Sequence, residues 1–367
     1  MHATALPTTF RGIGYAKDHD GFPLQEVEVP VPTPAPDQVL VHVVSSSLNP
    51  LEYKLAELNF FGRQPPVVLG FDLAGVVVGK GVEVEAFSVG DAVAAMADSN
   101  GDGGWASGGR GGYALAREFL TVAKPPELSF HDAAALPVCF LSAFLALYEN
   151  LTPGDAVYIP GGGGGVGHLA VQMAARTLEA GSVISSGSTP ESIELARSSG
   201  AQHVFDYKRD DVEAEIARLT GGEGVDLVFD STYSEASFAA TSKMVRRGGT
   251  WAVLGVGPGK TTRTTVTESP VFSILSERGA QYVNVNLLRY FSEPPTLDGN
   301  ARALLQLGLT RAMEWATSGL VVPHVGKTIP STVGEINGAL SSMRSGKGPL
   351  GKVAVTVDEH EAERRTP

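Results

Sequence analysis
Cysteine is almost missing from this chain of 367 residues: Cys139 stands alone. A lone thiol closes no disulfide within the chain and builds no four-thiolate zinc site, so a reducing compartment, and with it a cytoplasmic location, is the expectation. Positive charge is short as well. Lys and Arg total 28 against 40 Asp and Glu, a net charge of -12, which repels nucleic-acid phosphates and anionic lipid headgroups over the surface as a whole. Long apolar runs are also wanting: the longest, Ala133 to Tyr148, carries Pro137 and Ser142 and falls short of the about 20 residues that cross a bilayer. The first twenty residues have neither the basic head and apolar run of a secretory signal nor the arginines of a transit peptide. Neither nucleic acid nor a membrane is expected as a partner.

What is present describes a soluble α/β enzyme: 43% hydrophobic and 19% charged residues, 44 glycines, and enough length for two domains. Near the N-terminus Glu26-Val27-Glu28-Val29 alternates as a strand, Pro30, Pro32, Pro34 and Pro36 break the pattern, and Val39 to Val44 reads as a second strand. The β-branched run Gly75 to Val84 and the stretch Phe87 to Ala95 follow, punctuated by Gly79, Gly81 and Gly90, which suggests a small barrel. Ser99 to Gly112 has too few apolar residues to pack and reads as a surface loop. From Ser129, three residues ahead of Asp132, the pattern becomes helical and then alternates. Strands at Ala156–Ile159, Val183–Ser186, Val204–Phe205, Leu227–Phe229 and Trp251–Leu254 are separated by helices at Gly167–Leu178, Glu191–Ser198, Val212–Leu219 and Ala236–Val245. That rhythm predicts a doubly wound parallel sheet. A helix over Ala301–Ala316 and a strand over Lys352–Val357 close the pattern, and the tail from Asp358 is expected to fray.

Between the first strand and first helix of the alternating region stands Gly161-Gly162-Gly163-Gly164-Gly165-Val166-Gly167. Gly162, Gly164 and Gly167 have the G-x-G-x-x-G spacing that lets a backbone approach a pyrophosphate at a helix start. A carboxylate about 20 residues on, which would take a ribose diol, is absent; Ser185-Ser186-Gly187-Ser188-Thr189 stands there instead. Small hydroxyls without a carboxylate favour NADPH over NADH. Arg197, Lys208 and Arg209 are the candidates for the basic partner of a 2′-phosphate.

Several motifs together resemble the medium-chain dehydrogenase/reductase superfamily, in its zinc-free quinone oxidoreductase (zeta-crystallin-like) and enoyl reductase branch. They are Pro30-Val31-Pro32-Thr33-Pro34, Asn49-Pro50, Leu69-Gly70-Phe71-Asp72-Leu73-Ala74-Gly75, Phe87-Ser88-Val89-Gly90-Asp91, Gly111-Gly112-Tyr113-Ala114, Ala133-Ala134-Ala135-Leu136-Pro137, the glycine loop and Gly351-Lys352-Val353. The resemblance implies a GroES-like β-barrel catalytic domain from residues 1–136 and 301–367, with a Rossmann domain of residues 137–300 inserted and the cofactor in the cleft between them. It implies cofactor contacts from Asn49 at the nicotinamide, from Gly162, Gly164, Gly165 and Val166 at the pyrophosphate, from Ser186, Gly187 and Ser188 at the adenosine ribose, and from Tyr207 at the 2′-phosphate. It further implies Leu254, Gly255 and Val256 in the loop after the fifth strand, Val283 and Asn284 in the loop after the sixth, and Lys352 as the closing lysine. Zinc-dependent members carry Gly-His-Glu where this chain has Gly70-Phe71-Asp72, so no metal is expected. Members specific for NADPH often have lysine at the position of Ser192.

The activity so implied is hydride transfer from NADPH to a quinone, or to the β-carbon of an enone or enal, with Tyr53, Lys54 and Asn49 as candidate catalytic residues. Tyr53 and Lys54 are candidates to hydrogen-bond the oxygen that gains charge, and Phe60, Phe61 and Tyr290 to flank a flat substrate. The alternatives are an enoyl-thioester reductase acting in trans, since fungal enzymes of that kind are similar in Asn-Pro-x-x-x-Lys, and a non-catalytic NADPH-binding protein of crystallin type. The β-rich stretch Gln281–Asn286 would be an outer strand and predicts pairing into a homodimer or higher homo-oligomer.

Overall fold
In the computed structural model the described residues are 6–17, 21–58, 63–98, 112–255, 269–287, 299–359 and 362. Phe60, Phe61, Val256, Tyr290 and all but the last residue of the predicted loop Ser99–Gly112 lie outside them. The chain divides into two compact units. One comprises Met1–Val138, Tyr290–Thr317 and Val325–Pro367, the other Cys139–Arg289 and Ser318–His324. The division differs from the expected one chiefly at residues 290–300, which fall in the first unit, and in the short return Ser318–His324, whose backbone is held by side chains of the second unit through bonds invisible to local pattern.

The first unit begins with β1 (Thr9–Tyr15), β2 (Gln25–Pro30), β3 (Gln38–Ser47), α1 (Leu51–Leu58), β4 (Val67–Val68), β5 (Asp72–Lys80), β6 (Ala92–Met96), β7 (Tyr113–Arg117) and β8 (Thr121–Ala123). β2, β1 and β4 form a three-stranded sheet in that order. Val39, Val41 and Val43 of β3 face the same core as Leu73 and Val77 of β5 and Val93 of β6, the period-two alternation by which a strand sends every second side chain to one face. β5 stops at Lys80, short of the expected Val84, because the chain turns at Gly81, where a Cβ would lie 2.0 Å from the Ala35 carbonyl oxygen. α2 (Phe130–Ala134) is capped by Ser129, whose hydroxyl accepts the Asp132 N–H, and α3 (Pro137–Leu147) starts at the proline that interrupts the pattern.

The second unit carries β9 (Ala156–Pro160), α4 (Gly167–Arg176), β10 (Ser182–Gly187), α5 (Pro190–Ser199), β11 (His203–Asp206), α6 (Val212–Leu219), β12 (Val225–Asp230), α7 (Glu235–Thr241), β13 (Val245–Leu254), α8 (Pro270–Arg278) and β14 (Gln281–Val285). Its six-stranded sheet is parallel in the order β11-β10-β9-β12-β13-β14, a doubly wound sheet whose switch point lies between β9 and β12. Tyr158, Ile184, Val228 and Trp251 of the strands pack with Phe238 and Val271 of the helices. The helix expected through Val245 ends at Thr241, because Val245 is paired with Val225 in the sheet.

The chain then returns to the first unit with α9 (Gly299–Thr317), β15 (Val325–Pro330), α10 (Val333–Arg344) and β16 (Lys352–Thr356). β16 pairs antiparallel with β3, Ala354 opposite Ser47, and so completes a seven-stranded sheet ordered β15-β16-β3-β5-β6-β8, with β7 on β3. The result is a GroES-like domain and a Rossmann-like α/β domain. Among the described residues no helix is long and apolar enough to cross a membrane.

Candidate active site
In the second unit the site is built mostly of backbone. β9 ends at Pro160 and the chain turns at Gly161, φ +72°, with the N–H groups of Gly161 and Gly162 both donating to the Ser186 carbonyl at 3.1 Å. A Cβ on Gly162 would meet the Ser185 hydroxyl at 2.2 Å, one on Gly163 the Ser192 Cα at 2.8 Å, and one on Gly167 the Gly161 carbonyl oxygen at 2.2 Å. These three glycines seat the loop against α5 and on itself. Gly164, by contrast, is exposed, and a Cβ there would meet only the Gly161 oxygen at 3.2 Å. Val166 gives α4 no side-chain cap; the His168 N–H is bonded to the Gly164 carbonyl of the loop at 3.1 Å and the Ala170 N–H to that of Val166 at 3.0 Å, and the helix opens directly on the loop. A cradle that side chains would fill, ending at an uncapped helix start, fits the pyrophosphate of a dinucleotide.

At the end of β10 the register sets Gly187 opposite Asp206, so Ser188 and Tyr207 follow side by side. Tyr207 is 55% exposed, and Lys208 and Arg209 follow it at the surface, Arg209 3.4 Å from Asp206. This cluster fits a 2′-phosphate. Ser186 does not join it: it lies inside β10, whose faces are both buried, and its hydroxyl is 3.0 Å from that of Tyr158, whose own pKa burial pushes up to about 12. Ser185 is likewise spent on the Ile159 carbonyl. Arg197 is also set aside, because it sits in the last turn of α5, at the far end from Ser188. Ser192, the position of the missing lysine, accepts the N–H groups of Ser188 and Thr189 and completes a capping box with Thr189.

Leu254 ends β13 and Gly255 follows at φ +95°, its N–H on the Val285 carbonyl. Val283 and Asn284 are corrected. They do not follow the sixth strand but lie within it, opposite Ala252 and Val253, and the Asn284 amide is bonded to the Tyr282 hydroxyl at 2.9 Å.

The first unit holds a different kind of cluster. Asp72, at the start of β5, is fully buried and one carboxylate oxygen takes the Ser47 hydroxyl at 2.7 Å, the Asn49 amide at 2.8 Å and the Lys352 ammonium at 3.1 Å. Its other oxygen takes the Val138 N–H at 2.7 Å. Lys352, 2% exposed, also donates to Asn49 Oδ1 at 2.8 Å and to the Leu48 carbonyl at 3.2 Å. Asn49 is 4% exposed, and its N–H is taken by Glu52 of α1 at 2.7 Å. Lys352 and Asn49, expected at the cofactor, thus have their side chains engaged in a buried ion-pair network, a role that the Gly-Phe-Asp motif signals only once its partner is known. The same network answers for zinc. Asp72 is occupied by cationic and N–H donors, Phe71 has no donor atom, and the residues do not fit a catalytic metal. Among the described residues no group of His, Cys, Asp and Glu has metal-binding geometry.

Tyr53 and Lys54 are neighbours on α1 and so point about 100° apart. The Tyr53 ring meets Phe22 edge-on at 6.4 Å, and its pKa is raised, first by burial and then by Glu57. Burial lowers Lys54 to about 8. That brings its ammonium within reach of proton donation near neutral pH, the property a general acid needs.

Two known families match the two halves of this arrangement: the alcohol dehydrogenase GroES-like domain over residues 35–125 and the zinc-binding dehydrogenase over residues 165–288. These two domains are those of the medium-chain dehydrogenase/reductase superfamily, to which the chain belongs. Within that superfamily it is 36% identical over 196 residues to the chloroplastic quinone-oxidoreductase QR1 of Triphysaria versicolor, covering 50% of this chain and 57% of that protein. It is 34% identical over 215 residues to the chloroplastic NADPH-dependent alkenal/one oxidoreductase of Arabidopsis thaliana, covering 57% and 55%. The matched stretch therefore spans little more than half of either relative. Among solved structures, an alcohol dehydrogenase superfamily protein from Novosphingobium aromaticivorans superposes with a TM-score of 0.78 at 29% identity, over 96% of this chain and 100% of that one.

Proposed function
We propose that this superfamily member is an NADPH-dependent reductase of quinones or other conjugated carbonyls. The observation that carries the reading is the end of β10, where Ser185–Thr189 carry no carboxylate and Ser188 lies beside Tyr207, Lys208 and Arg209, the carboxylate of Asp206 on the neighbouring strand being paired with Arg209. When bound, the cofactor would supply a hydride from its nicotinamide C4 to the acceptor. The chain's own part is to bind the pyrophosphate at Gly162–Val166, to hold the 2′-phosphate at Tyr207 and its neighbours, and to supply a proton to the acceptor oxygen. Lys54 is the residue assigned to the last task, supported by its place on α1 and its pKa of about 8. Steady NADPH oxidation with a panel of small quinones, enones and crotonyl-thioesters, run with and without chelator, is the test. Turnover of quinone or enone that survives chelation is expected; turnover of thioesters alone, or of none, goes against the reading.

We infer further that the chain self-associates along β14, the outer strand of its sheet, which carries Tyr282, 37% exposed, against Phe272, 48% exposed. Sedimentation at micromolar concentration giving only a monomer would argue against it. A cytoplasmic setting is supported by the single, buried Cys139.

A further inference from the structure
α4, which opens on the glycine loop, also binds a strap of chain. His168, Gln172 and Arg176 are spaced four residues apart on the helix and engage the backbone at positions 324, 322 and 320 of the segment Ser318–His324. Four helical residues rise about 6.0 Å and two extended ones about 6.6 Å, so the two registers match. Gln172 both donates to the Val322 carbonyl at 2.9 Å and accepts its N–H at 2.8 Å. His168, fully buried, is the member of this row nearest the loop.

Its two ring nitrogens have partners that fix the tautomer. Nδ1 lies 2.8 Å from the Gly164 carbonyl oxygen, which can only accept, and Nε2 lies 3.0 Å from the His324 N–H, which can only donate. The ring is therefore neutral with its proton on Nδ1. The Gly164 carbonyl is held twice, by this ring and by the His168 N–H at 3.1 Å. A trans peptide is planar, so a carbonyl drawn toward the helix turns the N–H of Gly165 the opposite way, out into the cradle. Gly164 and Gly165 both lack a Cβ, and a Cβ on Gly164 would meet only the Gly161 oxygen at 3.2 Å, so side-chain packing does not fix the peptide between them.

We propose that His168 is a positioning residue for the dinucleotide: it locks the Gly164–Gly165 peptide with its N–H toward the pyrophosphate, and the strap holds the ring in place. This rests on the NADPH reading above. Two amide variants separate the two bonds, since the nitrogen of Asn reaches the place of Nδ1 and the oxygen of Gln that of Nε2. His168→Asn keeps the bond to Gly164 and is expected to bind NADPH within about threefold of wild type by fluorescence titration. His168→Gln keeps the strap and loses the lock, and is expected to bind about tenfold more weakly, with kcat at saturating cofactor within about twofold. Unchanged affinity in both variants, or equal loss in both, overturns the proposal.

A measurement on the wild type stands beside the variants in case they fold poorly. Nitrogen-15 NMR of the His168 ring should give the neutral Nδ1–H form with its proton protected from exchange; the Nε2–H tautomer overturns the proposal. If the wild type prefers NADH, the cofactor reading falls, and the same two variants titrated with NADH still decide the role of His168. Binding of neither dinucleotide overturns both.

Discussion

The two clusters that the motifs single out are built on opposite principles. The glycine loop of the second unit works by removing side chains: Gly162, Gly163 and Gly167 are glycines because atoms of Ser185, Ser192 and Gly161 occupy the space of a Cβ. What it presents is main chain, with fixed dipoles that need no protonation. The cluster of the first unit works by burying charge. Asp72 and Lys352 lie within hydrogen-bond reach of each other, 280 residues apart in sequence, and Ser47, Asn49, Leu48 and Val138 satisfy what remains of their bonding capacity. A motif made of glycine therefore leaves main chain open to approach, whereas a motif made of charged residues here marks a joint that ties β16 to β3 and β5.

The largest effect is expected where one buried charge is left alone. Lys352→Met strands the Asp72 carboxylate and is expected to destabilise the chain by about 3–5 kcal/mol in chemical denaturation. Adding Asp72→Asn in the same chain should return part of that loss, because the uncompensated charge is gone. A single variant as stable as wild type would mean that the pair is not the joint described here.

A smaller effect is expected at Lys54, the residue proposed above as the proton donor. Its ammonium form persists below about 8 and is lost above, since burial has lowered its pKa from the ordinary 10.5. The rate at saturating cofactor should therefore fall as pH rises through about 8. Lys54→Met should lower kcat about a hundredfold and abolish that break. A profile that stays flat from about pH 7 to about 9.5 in the wild type would remove Lys54 from the role of acid.

The smallest effects sharpen the description of the loop region. Wild type should bind NADPH at least about tenfold tighter than NADH, and Tyr207→Phe should narrow the ratio about threefold. Ser186→Ala should leave the ratio unchanged, because that hydroxyl is bonded to Tyr158. Ser192→Lys adds a charge near the cluster but also breaks the capping box, so any gain in NADPH preference comes with a loss of about 1 kcal/mol in stability. Fluorescence titration of both cofactors with all four proteins checks the set; a ratio that responds to Ser186 would reverse the assignment of its side chain.

The local sequence determined the elements and the cradle. Ser129 ahead of Asp132, Thr189 ahead of Ser192, and the alternation of strand and helix after Ala156 are signals carried within a few residues, and the structure places a cap or an element at each. The glycine loop was legible for the same reason, since its conformation is set by the residues it contains. Tertiary structure alone decided the rest. Serines at 185, 186 and 188 are chemically alike, and only the place of β10 inside a sheet covered on both faces encloses the first two, one on each face. Val283 and Asn284 lie inside β14 as the β-rich stretch Gln281–Asn286 itself signals, and only their register, opposite Ala252 and Val253, is set by the neighbouring strand. The pairing of Lys352 with Asp72, and of His168 with His324, joins residues brought together by sheet topology and a returning strap. A hydrogen bond or ion pair acts over about 3 Å of space, and local pattern does not report that distance for residues 156 or 280 positions apart.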